Sequence, residues 1–240
     1  VDKPKAIVLL SGGLDSTTVL AIAKSEGYSI YALTFDYGQR HRIEVQRAED
    51  IADLMKVSDH LVAVIDLRVF TGSALTSTLP VPKSDSVDGI GGTIPVTYVG
   101  ARNAIFLSYA LGYAEALGAS DIFIGVNAVD YSGYPDCRPE FIAAFQRMAD
   151  LATRVGVLGR PITINAPLLA LTKAEIINWG MSLHIPYSIT HSCYDPTSRL
   201  ACGRCDSCLL RIEGFSKAGY VDPTEYVERP YSLTSDQIRS

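Results

Sequence analysis

The sequence predicts an α/β protein with a parallel, doubly wound sheet and a small C-terminal appendix. Three observations carry that expectation. Segments with strand-like and helix-like apolar spacing alternate through the first two-thirds of the chain, the order that builds βαβ units. Glycine, acidic and aromatic residues gather just after the strand-like segments, where open parallel sheets bind ligands. From residue 188 onward the alternation stops and a cysteine cluster begins.

Taken in order, residues 5–10 read as a short apolar strand. Residues 16–26 have helical spacing, with Val19, Leu20 and Ala23 on one side. Residues 29–35 are β-rich, and 43–55 form a helix with Ile43, Ala48, Ile51, Ala52 and Met55 roughly on one face. A strand at 61–65 follows, then a small-residue helix at 103–117, a strand at 121–125, a helix at 140–153 and a strand at 162–165. The last helix, 172–183, has Thr172 as N-cap and Glu175 three residues on, the spacing of a capping box. Residues 70–97 are rich in Gly, Pro, Ser and Thr and too long for an ordinary connection, so a lid or functional loop is expected. The expected division is an α/β nucleotide domain at 1–187 and a four-cysteine segment at 188–240.

Composition narrows the function. The chain has 240 residues, 48% apolar and 20% charged, near globular averages, which excludes a disordered, collagenous or coiled-coil chain. No apolar run approaches the ~18 residues of a membrane span. The N-terminus carries no apolar leader, so no secretory signal is expected and the protein is expected in the cytoplasm. A net charge of −5 argues against a general nucleic-acid binder held by phosphate neutralisation.

After the first strand comes Ser11-Gly12-Gly13-Leu14-Asp15-Ser16, followed by Thr17 and Thr18. A strand, two glycines and a helix start let backbone N–H groups converge on an anion. No lysine sits inside, so this is not the G-x-x-x-x-G-K-[ST] loop. Asp15 would repel bare phosphate, so a metal ion is expected to mediate. The alternative is a tight turn capped by Asp15 or Ser16. The motif resembles the signature of the PP-loop ATP pyrophosphatase superfamily. That resemblance implies a Rossmann-like, adenine nucleotide alpha hydrolase-like sheet. It also implies an ATP segment comprising Leu10, Ser11, Gly12, Gly13, Leu14, Asp15, Ser16, Thr17, Thr18, Val19 and Leu20.

Five cysteines are present, and Cys193-x8-Cys202-x2-Cys205-x2-Cys208 brings together four of them. Four thiolates at such spacing suit a tetrahedral structural zinc, with no open position for water. A redox pair at Cys202 and Cys205, or an iron–sulfur cluster, is the alternative. Cys137 lies apart and is expected in a pocket.

Several blocks resemble the 7-cyano-7-deazaguanine synthase family of queuosine biosynthesis. They are residues 35–41 (Phe-Asp-Tyr-Gly-Gln-Arg-His), 125–127 (Gly-Val-Asn), 130–138 (Asp-Tyr-Ser-Gly-Tyr-Pro-Asp-Cys-Arg), 167–168, 171–177 and the cysteine cluster itself. One departure stands at 99–103, where the family usually has Val-Pro-Gly-Arg-Asn and this chain has Val99-Gly100-Ala101-Arg102-Asn103. The resemblance implies ATP-dependent conversion of 7-carboxy-7-deazaguanine and ammonia to the nitrile through adenylated acid and amide. It also implies magnesium with ATP, Asp15 as its ligand, and a homodimer. Ser11, Asp15, Ser16 and Arg102 are then the expected catalytic residues. The block at 130–140 reads as the substrate site. Asp130, Asp136 and Glu140 could accept ring N–H groups, Tyr131 and Tyr134 could stack, Arg138 could hold the carboxylate, and Ser132 lies among them. Asp36, Tyr37, Gln39, Arg40 and His41 are placed on the nucleotide or ammonia side. The alternatives are another adenylating PP-loop ligase, or a zinc-module regulatory or nucleic-acid-binding protein.

Overall fold

The computed structural model describes residues 3–88, 90, 93–127 and 133–229. In chain order its elements are β1 (Lys5–Leu9), α1 (Leu14–Ser25), β2 (Ser29–Asp36), α2 (Ile43–Leu54), β3 (Asp59–Val64), α3 (Arg102–Leu117), β4 (Asp121–Phe123), α4 (Pro139–Ala152), α5 (Arg154–Val157), β5 (Thr163–Asn165), α6 (Lys173–Ser182) and α7 (Asp206–Lys217). The strands form one parallel sheet in the order β3-β2-β1-β4-β5. The fold is therefore the parallel α/β architecture that the alternation predicts.

The period of two along β1 explains why both faces are covered. Ile7 and Leu9 enter one apolar cluster with Leu33, Leu107 and Ile122. Ala6, Val8 and Leu10 enter the other with Leu20, Ile22, Ile51 and Ile177. A strand buried on both sides cannot alternate apolar with polar residues, so it reads as a continuous apolar run. The chain winds from β1 to β3 in one direction and then returns to place β4 on the other side of β1. That reversal opens a crevice at the carboxyl ends of β1 and β4, where such sheets bind ligands.

The C-terminal region is knitted into this body. Helix α7, to which the sequence reading assigns no element, runs beside α6. Its Phe215 is 1% exposed within the same cluster as Leu20 and Ile22, with its ring edge-on to Tyr187 at 5.6 Å. The described part of 70–97 forms neither helix nor strand, yet it is anchored. Arg40 Nη1 donates to the Leu79 carbonyl at 2.7 Å, and Ala74 and Val81 pack against Cys193, Cys205 and Cys208. Among the described residues, no helix is long and apolar enough to cross a membrane.

Candidate active site

The turn between β1 and α1 is shaped by Gly12, whose φ is +81°. A Cβ there would stand 2.5 Å from the Glu44 carbonyl oxygen and 2.8 Å from the Ala48 nitrogen. The start of α2 thus packs directly on the loop, and only glycine fits. Helix α1 begins with Gly13 at its N-cap and no side-chain cap hydrogen bond. Neither Asp15 nor Ser16 caps it, so the alternative of a self-capped turn is not what forms. The Gly13 and Leu14 amides reach the Ser11 and Ser192 hydroxyls at 3.4 Å, and those of Asp15 and Ser16, which have no intrahelical acceptor, are left for an outside anion.

Ser11, Gly13, Leu14, Asp15 and Ser16 line a cavity of about 290 Å³ together with Leu10. The Ser11 and Ser16 hydroxyls pair at 3.0 Å, and Ser16 Oγ also accepts from the Ser11 amide. Thr17 and Thr18 turn inward, with hydroxyls donated to the Gly13 and Leu14 carbonyls at 2.7 and 2.9 Å. Val19 and Leu20 are fully buried in the core. These four support the loop from behind and lie outside the cavity wall. Gly125, after β4, lets the two chains approach: a Cβ there would meet the Ser16 nitrogen at 3.1 Å.

Four residues with no role in the sequence reading sit on or beside the loop. Lys173, the first residue of α6, places Nζ 2.7 Å from both Asp15 carboxylate oxygens. The Thr172–Glu175 capping box expected from the spacing is present and fixes this helix start. The charge that Asp15 would turn on a phosphate is therefore met within the chain. His191 N–H donates to the Gly12 carbonyl at 2.9 Å, and the Leu14 amide donates to Ser192 Oγ at 3.4 Å. Glu44 also lines the cavity. The distances in sequence, 158 for Lys173 and 178 for Ser192, leave no local pattern from which these contacts could be read.

The opposite wall comes from α3. Arg102 Nη1 donates to Tyr37 Oη at 3.1 Å, with the guanidinium over the same ring at 5.5 Å. Ala101, just before it, is left-handed at φ +51°, so the turn keeps the shape that a glycine would adopt. Burial pushes the Tyr37 phenol up to about 12 and the Glu44 carboxyl up to about 7, while Arg102 pulls both back. Gln39, Arg40 and His41 line the cavity too, and Asp36 is instead paired with Arg42 at 2.9 Å.

Of the expected substrate block, Tyr134 and Cys137 line the cavity. The Cys137 thiol is pushed up to about 12, chiefly by burial, and accepts from Asn103 Nδ2 at 3.3 Å. Asp136 is buried and accepts from the Asn103 amide at 2.9 Å, so it holds the start of α3. Arg138 and Glu140 are exposed at the start of α4, outside the cavity wall. Asp130, Tyr131 and Ser132 lie outside the described residues.

The sulfurs of Cys193, Cys202, Cys205 and Cys208 all lie within 4.8 Å of one another. A tetrahedral ion with metal–sulfur bonds near ~2.3 Å needs sulfurs about 3.8 Å apart. Cys205–Cys208 at 3.5 Å and Cys202–Cys208 at 4.0 Å bracket that value. Backbone amides of Asp195 and Cys202 donate to Cys193 Sγ at 3.3 and 3.2 Å, a setting that favours thiolate. Gly203, at φ +79°, allows the tight turn between the ligands. The four cysteines could hold a metal ion.

A family model described as queuosine biosynthesis protein QueC matches residues 5–219. A 7-cyano-7-deazaguanine synthase of Kineococcus radiotolerans is 60% identical over 227 residues, 94% of this chain and 99% of that protein. One from Geotalea daltonii is 62% identical over 229 residues, 95% of this chain and 98% of its own length. Among solved structures, a 4-thiouridine synthetase in complex with RNA and bound ATP superposes with a TM-score of 0.52. It is 18% identical, and the match covers 93% of this chain and 47% of that one. At that identity the likeness concerns the fold.

Proposed function

Since the chain belongs to the QueC family of queuosine biosynthesis proteins, we propose that it is a carbon–nitrogen ligase that turns 7-carboxy-7-deazaguanine and ammonia into 7-cyano-7-deazaguanine with two ATP. The observation that carries this reading is the start of α1. Its N-cap, Gly13, supplies no side chain to its first amides, and it shares one cavity with Arg102 and Tyr134.

A carboxylate is a poor electrophile because its oxygen leaves badly. Transfer of AMP onto that oxygen makes it a good leaving group. Ammonia displaces AMP to give the amide, and a second adenylation of the amide oxygen allows elimination to the nitrile. In this scheme the α1 amides, with the Ser11 and Ser16 hydroxyls, grip the departing pyrophosphate. Gly12 and Gly13 bring the backbone close, Leu10 and Leu14 flank the nucleotide, and Thr17, Thr18, Val19 and Leu20 brace the loop. Magnesium bound with ATP would supply positive charge on the pyrophosphate, and Asp15, whose carboxylate oxygens keep lone pairs beyond those that Lys173 engages, is the residue that would hold it. Lys173 orients that carboxylate. Arg102, at the entrance of α3, offers its guanidinium to a phosphate of the nucleotide. We assign the deazaguanine ring to Asp130, Tyr131, Ser132 and Tyr134, with Asp136 positioning Asn103, and give Arg138 and Glu140, exposed outside the cavity wall, no contact with the ring.

We further assign zinc, in a structural role, to Cys193, Cys202, Cys205 and Cys208. Residues 1–187 form the ATP-binding unit and 188–240 the metal-bearing segment. We place it in the cytoplasm as a homodimer, the pairing that the family resemblance implies, and the acidic balance supports work on small molecules and not on nucleic acid. Incubation with ATP, magnesium, ammonium and the carboxy-deazaguanine, read by mass spectrometry, tests the reading. The nitrile with AMP is expected. AMP without nitrile would point to a sibling ligase, and no nucleotide turnover would remove the enzymatic reading.

A further inference from the structure

Resting on that reaction, we propose that Glu44 is the catalytic residue that takes the proton from ammonium and from the adenylated amide. The chemistry demands such a group. Near neutral pH ammonia is almost wholly ammonium, which has no lone pair with which to attack.

Among the described residues, Asp15 and Glu44 are the two carboxylates of the cavity wall. Asp15 is engaged through both oxygens by Lys173. The Glu44 carboxylate makes no hydrogen bond or close ion pair with a described residue. Its electrostatic neighbours are Arg102 from α3 and Tyr37 from the turn after β2, and Arg102 already donates to Tyr37. Glu44 lies in the first turn of α2, whose backbone packs on Gly12, so its position is fixed relative to the pyrophosphate loop. Burial raises its carboxyl to about 7, where a base is matched to a neutral working pH. The other cavity bases fit less well. His191 is held down to about 4, mainly by burial, and His41 faces Asp195 at 3.6 Å.

The step balances as follows. Ammonium gives one proton to the Glu44 carboxylate, and the freed lone pair forms the carbon–nitrogen bond. The carbon–oxygen bond to AMP breaks with its electrons leaving on the phosphate oxygen. Glu44 passes its proton to water and takes the surplus proton of the new amide nitrogen. In the second half adenylation of the amide oxygen leaves a cationic nitrogen with two N–H protons; the carboxylate takes one to give the neutral imidate and passes it to water, then takes the second, whose bonding pair becomes the third C–N bond as AMP leaves with the carbon–oxygen electrons.

The test separates adenylation from nitrogen transfer. Acid-dependent exchange of labelled pyrophosphate into ATP reads the first, and amide plus nitrile formation at fixed total ammonium reads the second, from about pH 6 to about pH 9. Glu44→Gln is expected to keep exchange and to lose about 100-fold or more of amide formation near pH 7. The gap should narrow as rising pH supplies free ammonia. Glu44→Asp should recover part of the rate with the wild-type pH shape. Amide formation by the Gln variant close to wild type near pH 7 overturns the proposal, as does a parallel loss of exchange. Absence of exchange in the wild-type protein instead overturns the ligase reading itself.

Discussion

Replacing Arg211 by Met should destabilise the protein by about 3–5 kcal/mol, the cost of leaving one member of a buried ion pair alone. Arg211 and Asp222 are 3% and 4% exposed. The guanidinium gives Nε to both Asp222 oxygens at 3.1 Å, Nη1 to Thr190 Oγ1 at 2.7 Å and Nη2 to the Tyr187 carbonyl at 3.1 Å. Methionine fills much of the volume and satisfies none of these acceptors. Asp222 keeps neutral donors, the Tyr226 hydroxyl and the Thr224 amide, but loses its counter-charge. Against a total stability of about 5–15 kcal/mol, that is a fifth or more. With a urea slope of roughly 2–3 kcal/mol per molar, the midpoint should fall by about 1–2 M. The assay is urea unfolding of metal-loaded protein, with metal content measured on both forms. Adding Asp222→Asn should recover much of the loss, since the unpaired charge goes with it. A shift below about 0.4 M, or a double variant no better than the single one, would refute the reasoning.

Ala101→Gly should stabilise the fold by about 0.5–1 kcal/mol. It relieves roughly 1–2 kcal/mol of left-handed strain at φ +51° and adds back about 0.4–1 kcal/mol of unfolded-chain entropy; a thermal melt reads a midpoint rise of about 1–4 °C. Chelating the metal should weaken nucleotide binding about tenfold, the worth of a hydrogen bond or two, because Cys193 adjoins Ser192, which accepts from Leu14 of the glycine loop. Calorimetric titration with and without metal would show it, and Ser192→Ala should reproduce part of the loss. Glu44 has a folded-state pKa above its usual 4.5, at about 7. Between those values the folded chain holds a proton that the unfolded chain has released, so this residue lowers stability as pH rises through the window and its penalty is constant above it. Glu44→Gln should therefore be more stable than wild type by about 2–3 kcal/mol near pH 8, with no difference near pH 4 by the same unfolding assay.

What was legible in the sequence was what is local. The apolar run of β1, the two glycines after it and the helical spacing beyond give a strand, a turn and a helix whose contacts lie within a few residues. The Thr172–Glu175 box and the cysteine spacing are equally local, and both appear in the structure. The partners of the loop were not legible, because Lys173, His191 and Ser192 reach it only through tertiary packing. The block at 130–140 shows the limit from the other side. Its residue types suit a ring-binding site, yet residue type does not tell which side chains face inward. Tyr134 and Cys137 line the cavity, Asp136 holds the start of α3, and Arg138 and Glu140 stand exposed. Helix α7 is not legible in the sequence because its cysteine and charged residues mask the apolar face that carries Phe215 into the core.

The central claim is that the bend at Gly12 presents the α1 amides to the pyrophosphate of ATP. Calorimetric titration of magnesium–ATP into wild type and Gly12→Ala tests it most directly, with circular dichroism to show that the sheet and helices persist. The account predicts saturable binding by wild type and none at matched concentration by the variant, whose Cβ would press on the Glu44 carbonyl at 2.5 Å. Equal affinity in the two proteins, or no binding by wild type, would contradict it.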